Sequence, residues 1–138
     1  MVSPKTEDYL EAIYLLVQRK GYARVKDLAE ELGVKPPTVT GMLSRLKEKR
    51  YINYEKRGGI AFTPKGRKTA LEVAARREVF LKLLRMIYVP GETAEKDACV
   101  LEHSLHPETV RQFSLLVEFM EKEKGFMEMF GKYSKKKK

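Results

Sequence analysis

Residues 25–64 read VKDLAEELGVKPPTVTGMLSRLKEKRYINYEKRGGIAFTP, and this stretch decides the fold. Leu28, Ala29 and Leu32 recur at helical spacing, and Gly33 suits the left-handed residue that closes a short helix. Val34-Lys35 makes a tight corner. Pro36-Pro37 then opens a second helix with Val39, Met42, Leu43 and Leu46 inward, ending near Lys49-Arg50. The period changes at 51–56 and 60–63, two β-prone runs joined by Arg57-Gly58-Gly59, which predicts a two-strand hairpin. Two helices across a short glycine turn, followed by a basic hairpin, are the layout of a winged helix-turn-helix.

The chemistry of the stretch suits that layout. The helix opening at Pro36 is expected to aim its first-turn N–H groups at a major groove, with Thr38, Thr40 and Ser44 offering hydroxyls to bases or phosphates. Arg45, Lys47, Lys49 and Arg50 supply phosphate contacts, Lys56 and Arg57 charge the wing tip, and Arg24, Lys35 and Pro37 complete the expected DNA-facing set. With no Asn or Gln and no Arg before Arg45 in the reading turn, shape and methyl contacts are expected to outweigh bidentate base readout. The competing reading, a solvated basic helix beside an incidental hairpin, leaves the agreement of pattern, turn and charge unexplained.

That charge is localised. The whole chain of 138 residues carries +9, of which residues 1–70 hold +7, all of it within 41–70; residues 71–134 carry −2 and 135–138 add +4. A cluster so local is an electrostatic footprint for a polyanion. The hydrophobic share of 43% supports a packed core, in one domain or two small ones. The chain has no membrane-length apolar run, and Lys5, Glu7 and Asp8 break any secretory signal, so a soluble cytoplasmic protein with no membrane partner is expected. One cysteine, Cys99, excludes an internal disulfide framework.

Outward from the reading head, helices dominate, and the chain is expected to be mainly α. Ser3-Pro4 caps a first helix with Tyr9, Leu10, Ile13, Tyr14 and Val17 on one face, ending near Lys20-Gly21. Thr63-Pro64 opens a long helix that stops before Pro90-Gly91, and two more follow at about 93–105 and 107–122. A short apolar segment at 126–130 precedes the lysines. On the helix at 93–105, Cys99, Glu102 and His103 stand at i, i+3 and i+4, which puts thiol, carboxylate and imidazole on one face. These are borderline donors for Fe(II), Mn(II), Co(II), Ni(II) or Zn(II). Spacing alone equally allows a half-buried cysteine beside a solvated Glu-His pair. Asp8 and Glu11 repeat the i, i+3 geometry on the first helix, opposite its apolar stripe, where a surface carboxylate pair is also common.

Taken together, Glu7-Asp8-Tyr9-Leu10-Glu11-Ala12-Ile13-Tyr14, Gly21-Tyr22-Ala23-Arg24-Val25, Pro37-Thr38-Val39-Thr40, Phe62-Thr63-Pro64-Lys65-Gly66 and Cys99-xx-Glu102-His103 resemble the metal-dependent repressors typified by the diphtheria toxin repressor and the manganese transport regulator. The resemblance runs to about Glu121, and the length fits the shorter branch without an SH3-like domain. It implies a winged helix-turn-helix at 1–70 and a helical metal-binding and dimerisation region at 71–132, and the run of lysines itself makes 133–138 a disordered tail. The resemblance also implies a homodimer on a palindromic double-stranded operator, repressing metal-uptake genes. By the same resemblance Asp8 and Glu11 are first-helix metal ligands and Cys99, Glu102 and His103 the ligands of the later helix. The set is a hybrid, because Cys99 matches the toxin-repressor branch and Asp8 the manganese branch.

Arg77 departs from both branches, which place a histidine ligand there. A guanidinium has no lone pair to donate and stays protonated, so Arg77 is expected to stand beside the metal site as a fixed cation pairing with Glu11 or Glu102. Fe(II) or Mn(II) is the expected cofactor, iron favoured by the thiol of Cys99, with Co(II), Ni(II) or Zn(II) binding in vitro. Two rivals remain at this level. A mononuclear metal hydrolase would need an open coordination position and a substrate pocket that the sequence does not display. A winged-helix sensor of an organic ligand would bury Cys99 as a small hydrophobe. No enzyme activity and no small organic substrate are expected.

Overall fold

A computed structural model describes residues 2–55 and 59–137. The chain divides into two compact units, 1–74 and 75–138, a few residues beyond the boundary at 70 expected from sequence.

The first unit begins with α1 (Pro4–Lys20), capped by Ser3, whose hydroxyl accepts the Thr6 N–H at 3.2 Å. After α2 (Val25–Leu32), Gly33 takes φ 66°, and the Val34 N–H donates to the Ala29 carbonyl at 3.0 Å, closing the helix. Then comes α3 (Pro36–Glu48), with Val39, Leu43 and Leu46 fully buried. Arg50 ends it in the left-handed region at φ 64°, with the Tyr51 N–H donating to the Leu46 carbonyl. The chain so reversed enters β1 (Ile52–Glu55), which pairs antiparallel with β2 (Gly59–Phe62) in the register Ile52↔Phe62 to Glu55↔Gly59. Lys56 and Arg57, expected at the wing tip, lie outside the described residues.

The wing returns to the body through Thr63. Its hydroxyl donates to the Arg50 carbonyl at 2.6 Å and accepts the Gly66 N–H at 3.1 Å, capping α4 (Pro64–Met86). Gly66 is obligatory for a packing reason: a Cβ there would run into the Tyr51 carbonyl. Leu10, Ile13, Leu16, Leu28, Val39, Leu43, Leu46 and Ile52 form the core of this unit. Each contributes on the order of 2 kcal/mol by leaving water. At the rim, the Lys20 ammonium donates to Asp27 at 3.0 Å, joining the end of α1 to α2. That bond holds the Asp27 carboxyl below the usual carboxylate range and raises Lys20 above the usual amine range.

The second unit holds the later part of α4 with α5 (Gly91–Ser104), α6 (Pro107–Lys122) and α7 (Phe126–Lys136). Phe80 is fully buried, edge-on to Phe113 with ring centroids 5.6 Å apart, and Met86 packs with Val117 and Met120. The disordered tail expected from 133 is corrected here, because the chain is helical through Lys136. The physical reason is an aromatic anchor under α7: Phe126 stacks on Phe130, Phe130 stacks on Tyr88, and the Tyr88 hydroxyl donates to the Met127 carbonyl at 2.7 Å. Composition alone hides such an anchor, since the lysines dominate the local charge.

Candidate metal centre and nucleic-acid interface

On α5, the helical period sets Cys99, Glu102 and His103 on one face as the sequence requires, and burial settles the question that spacing leaves open. Glu102 is only 2% exposed and the His103 side chain 8%, so the solvated Glu-His pair is excluded. The His103 Nε2 lies 3.2 Å from Glu102 Oε1, and each of the three residues brings a ligand atom within 4.8 Å of the others. Cys99 is half-buried and is a thiol rather than half of a disulfide. A carboxylate taken out of water is costly unless compensating charge or hydrogen bonds surround it. Thiol, carboxylate and imidazole, brought together at low exposure, fit a borderline divalent cation.

The acidic residues of α1 are not a surface pair. Glu11 is buried at 4% and Glu7 at 9%, while Asp8 is half-buried, so Glu11 is not one of a pair of surface carboxylates. The helix is buried round much of its circumference, with Thr6, Glu7, Tyr9, Leu10, Glu11, Ala12, Ile13 and Leu16 all inside, and a single apolar stripe underestimates that. Glu7 was not singled out from sequence, although its four-residue spacing to Glu11 places both on one face. Tyr9 is buried too, and burial pushes its phenol above the usual value. Arg77 is half-buried on α4.

The reading helix keeps its expected surface with altered donors. Lys35, Pro37, Thr38, Ser44, Arg45, Lys47 and Arg50 are exposed, and Thr40 is half-buried. The row of unpaired first-turn N–H groups expected to face a major groove is absent. Pro36 and Pro37 carry no N–H, and those of Thr38 and Val39 donate to the Lys35 carbonyl. Contacts from this turn therefore fall to side chains. The Thr40 hydroxyl donates to the Pro36 carbonyl at 3.1 Å and the Ser44 hydroxyl to the Thr40 carbonyl at 3.2 Å, leaving their lone pairs to accept from base amino groups. Lys47 donates to the Tyr54 carbonyl at 3.1 Å and so braces the wing strand. Arg24 lies with its guanidinium 4.5 Å from the centre of the Tyr22 ring.

One positioning residue was missed from sequence. Lys65 donates to the Lys49 carbonyl at 2.9 Å and sits 4.3 Å from the Tyr51 ring centre, tying the start of α4 to the end of α3. Its place in Thr63-Pro64-Lys65-Gly66 was the available signal.

Comparisons with known proteins agree with this geometry. Residues 1–60 match the family described as iron dependent repressor, N-terminal DNA binding domain, and residues 63–125 match iron dependent repressor, metal binding and dimerisation domain. The HTH-type transcriptional regulator MntR of Geobacillus kaustophilus is 39% identical over 93% of this chain and 91% of its own length. That of Bacillus subtilis is likewise 39% identical, over 89% of this chain and 87% of its own. Among solved structures, T. acidophilum IdeR is 30% identical with a TM-score of 0.67, covering 78% of this chain. The manganese regulator SloR is 25% identical with a TM-score of 0.72, covering 86% of this chain. The chain spans about half the length of these two solved chains, 51% and 55%.

Proposed function

Because the chain belongs to the iron-dependent repressor family, as a metal-dependent DNA-binding transcriptional regulator, we propose that it holds one divalent cation, Fe(II) or Mn(II), with Asp8, Glu11, Cys99, Glu102 and His103. The observation that carries the assignment is the buried Glu102–His103 pair with the Cys99 sulfur within 4.8 Å. The cation would supply positive charge among groups that otherwise repel one another. Asp8 and Glu11 belong to the helix that packs on the reading head, while Cys99, Glu102 and His103 belong to the helical unit assigned to dimerisation. Sharing one cation between those two sets restricts how the heads of a homodimer are spaced. Two recognition helices then meet half-sites of a palindromic operator, about 34 Å or a multiple apart. Arg77 acts as the fixed cation beside this set, so one metal per subunit suffices. In this reading Cys99 tilts selectivity toward iron, and the regulated genes are those of metal uptake.

By linkage, operator DNA tightens metal binding by the same factor that metal tightens DNA binding. The test is a mobility shift on duplex DNA from the region upstream of the gene encoding this chain, titrated with Mn(II) or anaerobic Fe(II) against a chelator. Glu102→Ala is expected to lose the metal-dependent shift and keep weak, salt-sensitive binding. Full-strength binding by Glu102→Ala in chelator would refute the proposal.

A further inference from the structure

Helix α7 carries a feature that metal-linked DNA reading leaves unused. Over 126–137 there are four lysines, Lys132, Lys135, Lys136 and Lys137, against one acid, Glu128, although residues 71–134 as a whole are net acidic. The helix is held in place rather than trailing. Phe126 and Phe130 stack towards Tyr88, and Gly131 lies against the Tyr88 ring so closely that a Cβ would come within 2.9 Å of its hydroxyl. At the helical period, Lys132 and Lys136 fall opposite that anchored face, with Lys135 beside them, and all four lysines are exposed. Lys132 makes one exposed ion pair, with Glu128 at 3.4 Å, and Lys137 lies 5.7 Å from the Tyr133 ring centre. Among the described residues, Lys135 and Lys136 form no ion pair. A row of cations along one packed helix of an otherwise acidic unit is a separation of charge that solubility does not require.

We infer that the lysine face of α7 is a second, sequence-independent phosphate-binding surface for duplex DNA. The inference rests on the DNA-binding function above, and charge complementarity identifies the partner as that same class of polyanion. Each lysine on a phosphate displaces condensed counterions, so its contribution appears in the salt dependence and not in base preference.

The experiment measures affinity for a random-sequence duplex against salt, with Mn(II) present. It compares the full chain with a variant carrying Lys132→Gln, Lys135→Gln, Lys136→Gln and Lys137→Gln, and with the matching Lys→Arg variant. Circular dichroism checks that α7 remains helical. Each lost phosphate contact flattens the log–log salt slope by about 0.9, so the glutamine variant is expected to lose roughly 2 or more from the slope and about tenfold or more in affinity near 0.15 M salt. The arginine variant should retain both. An unchanged slope in a folded glutamine variant that still binds DNA overturns the α7 inference alone. Failure of the unmodified chain to bind duplex DNA with metal present overturns the reading beneath it. An unchanged DNA slope, with binding to phosphatidylserine vesicles lost in the glutamine variant, would assign the surface to a membrane and also overturn the inference.

Discussion

Replacing Glu102 by Gln should remove most of the stability that the chain gains from metal. The substitution conserves shape and removes one negative charge from a side chain that is 2% exposed. Its Oε1 lies 3.2 Å from the His103 Nε2, so the amide retains a partner at that distance. In chelator, the unfolding temperature of the variant sets its own baseline, against which the effect of metal is read. With metal at about 100 times its dissociation constant, the unmodified chain gains about 2.7 kcal/mol. A variant binding metal about 100-fold more weakly at the same concentration gains only about 0.4 kcal/mol. The difference of about 2.3 kcal/mol corresponds to roughly 9 °C at about 4 °C per kcal/mol for a chain of this size. Thermal unfolding followed by circular dichroism, with and without Mn(II), reads it directly. If Glu102→Gln gains as many degrees from Mn(II) as the unmodified chain, Glu102 is not a ligand and the reasoning fails.

Three further outcomes follow from the first unit. Gly66→Ala forces a Cβ against the Tyr51 carbonyl at the turn that Thr63 caps, and denaturant unfolding should show a loss of roughly 1–3 kcal/mol from the overpacking alone. Arg50 occupies the left-handed region, so Arg50→Gly should raise stability by about 1 kcal/mol while flattening the DNA salt slope by about 0.9, an opposition visible by running both assays on one variant. Asp27, held below the usual carboxylate range by its bond to Lys20, contributes stability that is present above the ordinary carboxylate pKa and lost as pH falls through its own; Asp27→Asn should shorten the acid limb of the stability profile, and less so at high salt, as followed by urea midpoints across pH.

Much of this protein is written locally. Ser3-Pro4, the Gly33 turn, Pro36-Pro37 and Thr63-Pro64 each fix a helix end through caps and forbidden dihedrals, which depend on a few neighbouring residues. The change of period at residue 51 fixes the wing for the same reason. Cys99, Glu102 and His103 share a face because three and four residues make one helical turn.

Burial, however, belongs to the packed chain. Spacing left Glu102 and His103 either solvated or inside, and placed Glu11 on an outer face; only tertiary structure put all three out of water, because exposure depends on what the rest of the fold lays over a helix. The same holds for donors already used within the fold. The N–H groups of Thr38 and Val39 and the ammonium of Lys47 read as DNA contacts in sequence, and the folded chain spends them on Lys35 and Tyr54. Lys135 and Lys136 read as part of a loose tail until Tyr88, distant in sequence, supplied the ring that holds their helix. Sequence thus determined the elements and the donor types, since both arise within a few residues. Tertiary structure decided which of those donors are dehydrated, which are occupied and which are held still, since each depends on contacts between residues far apart in the chain.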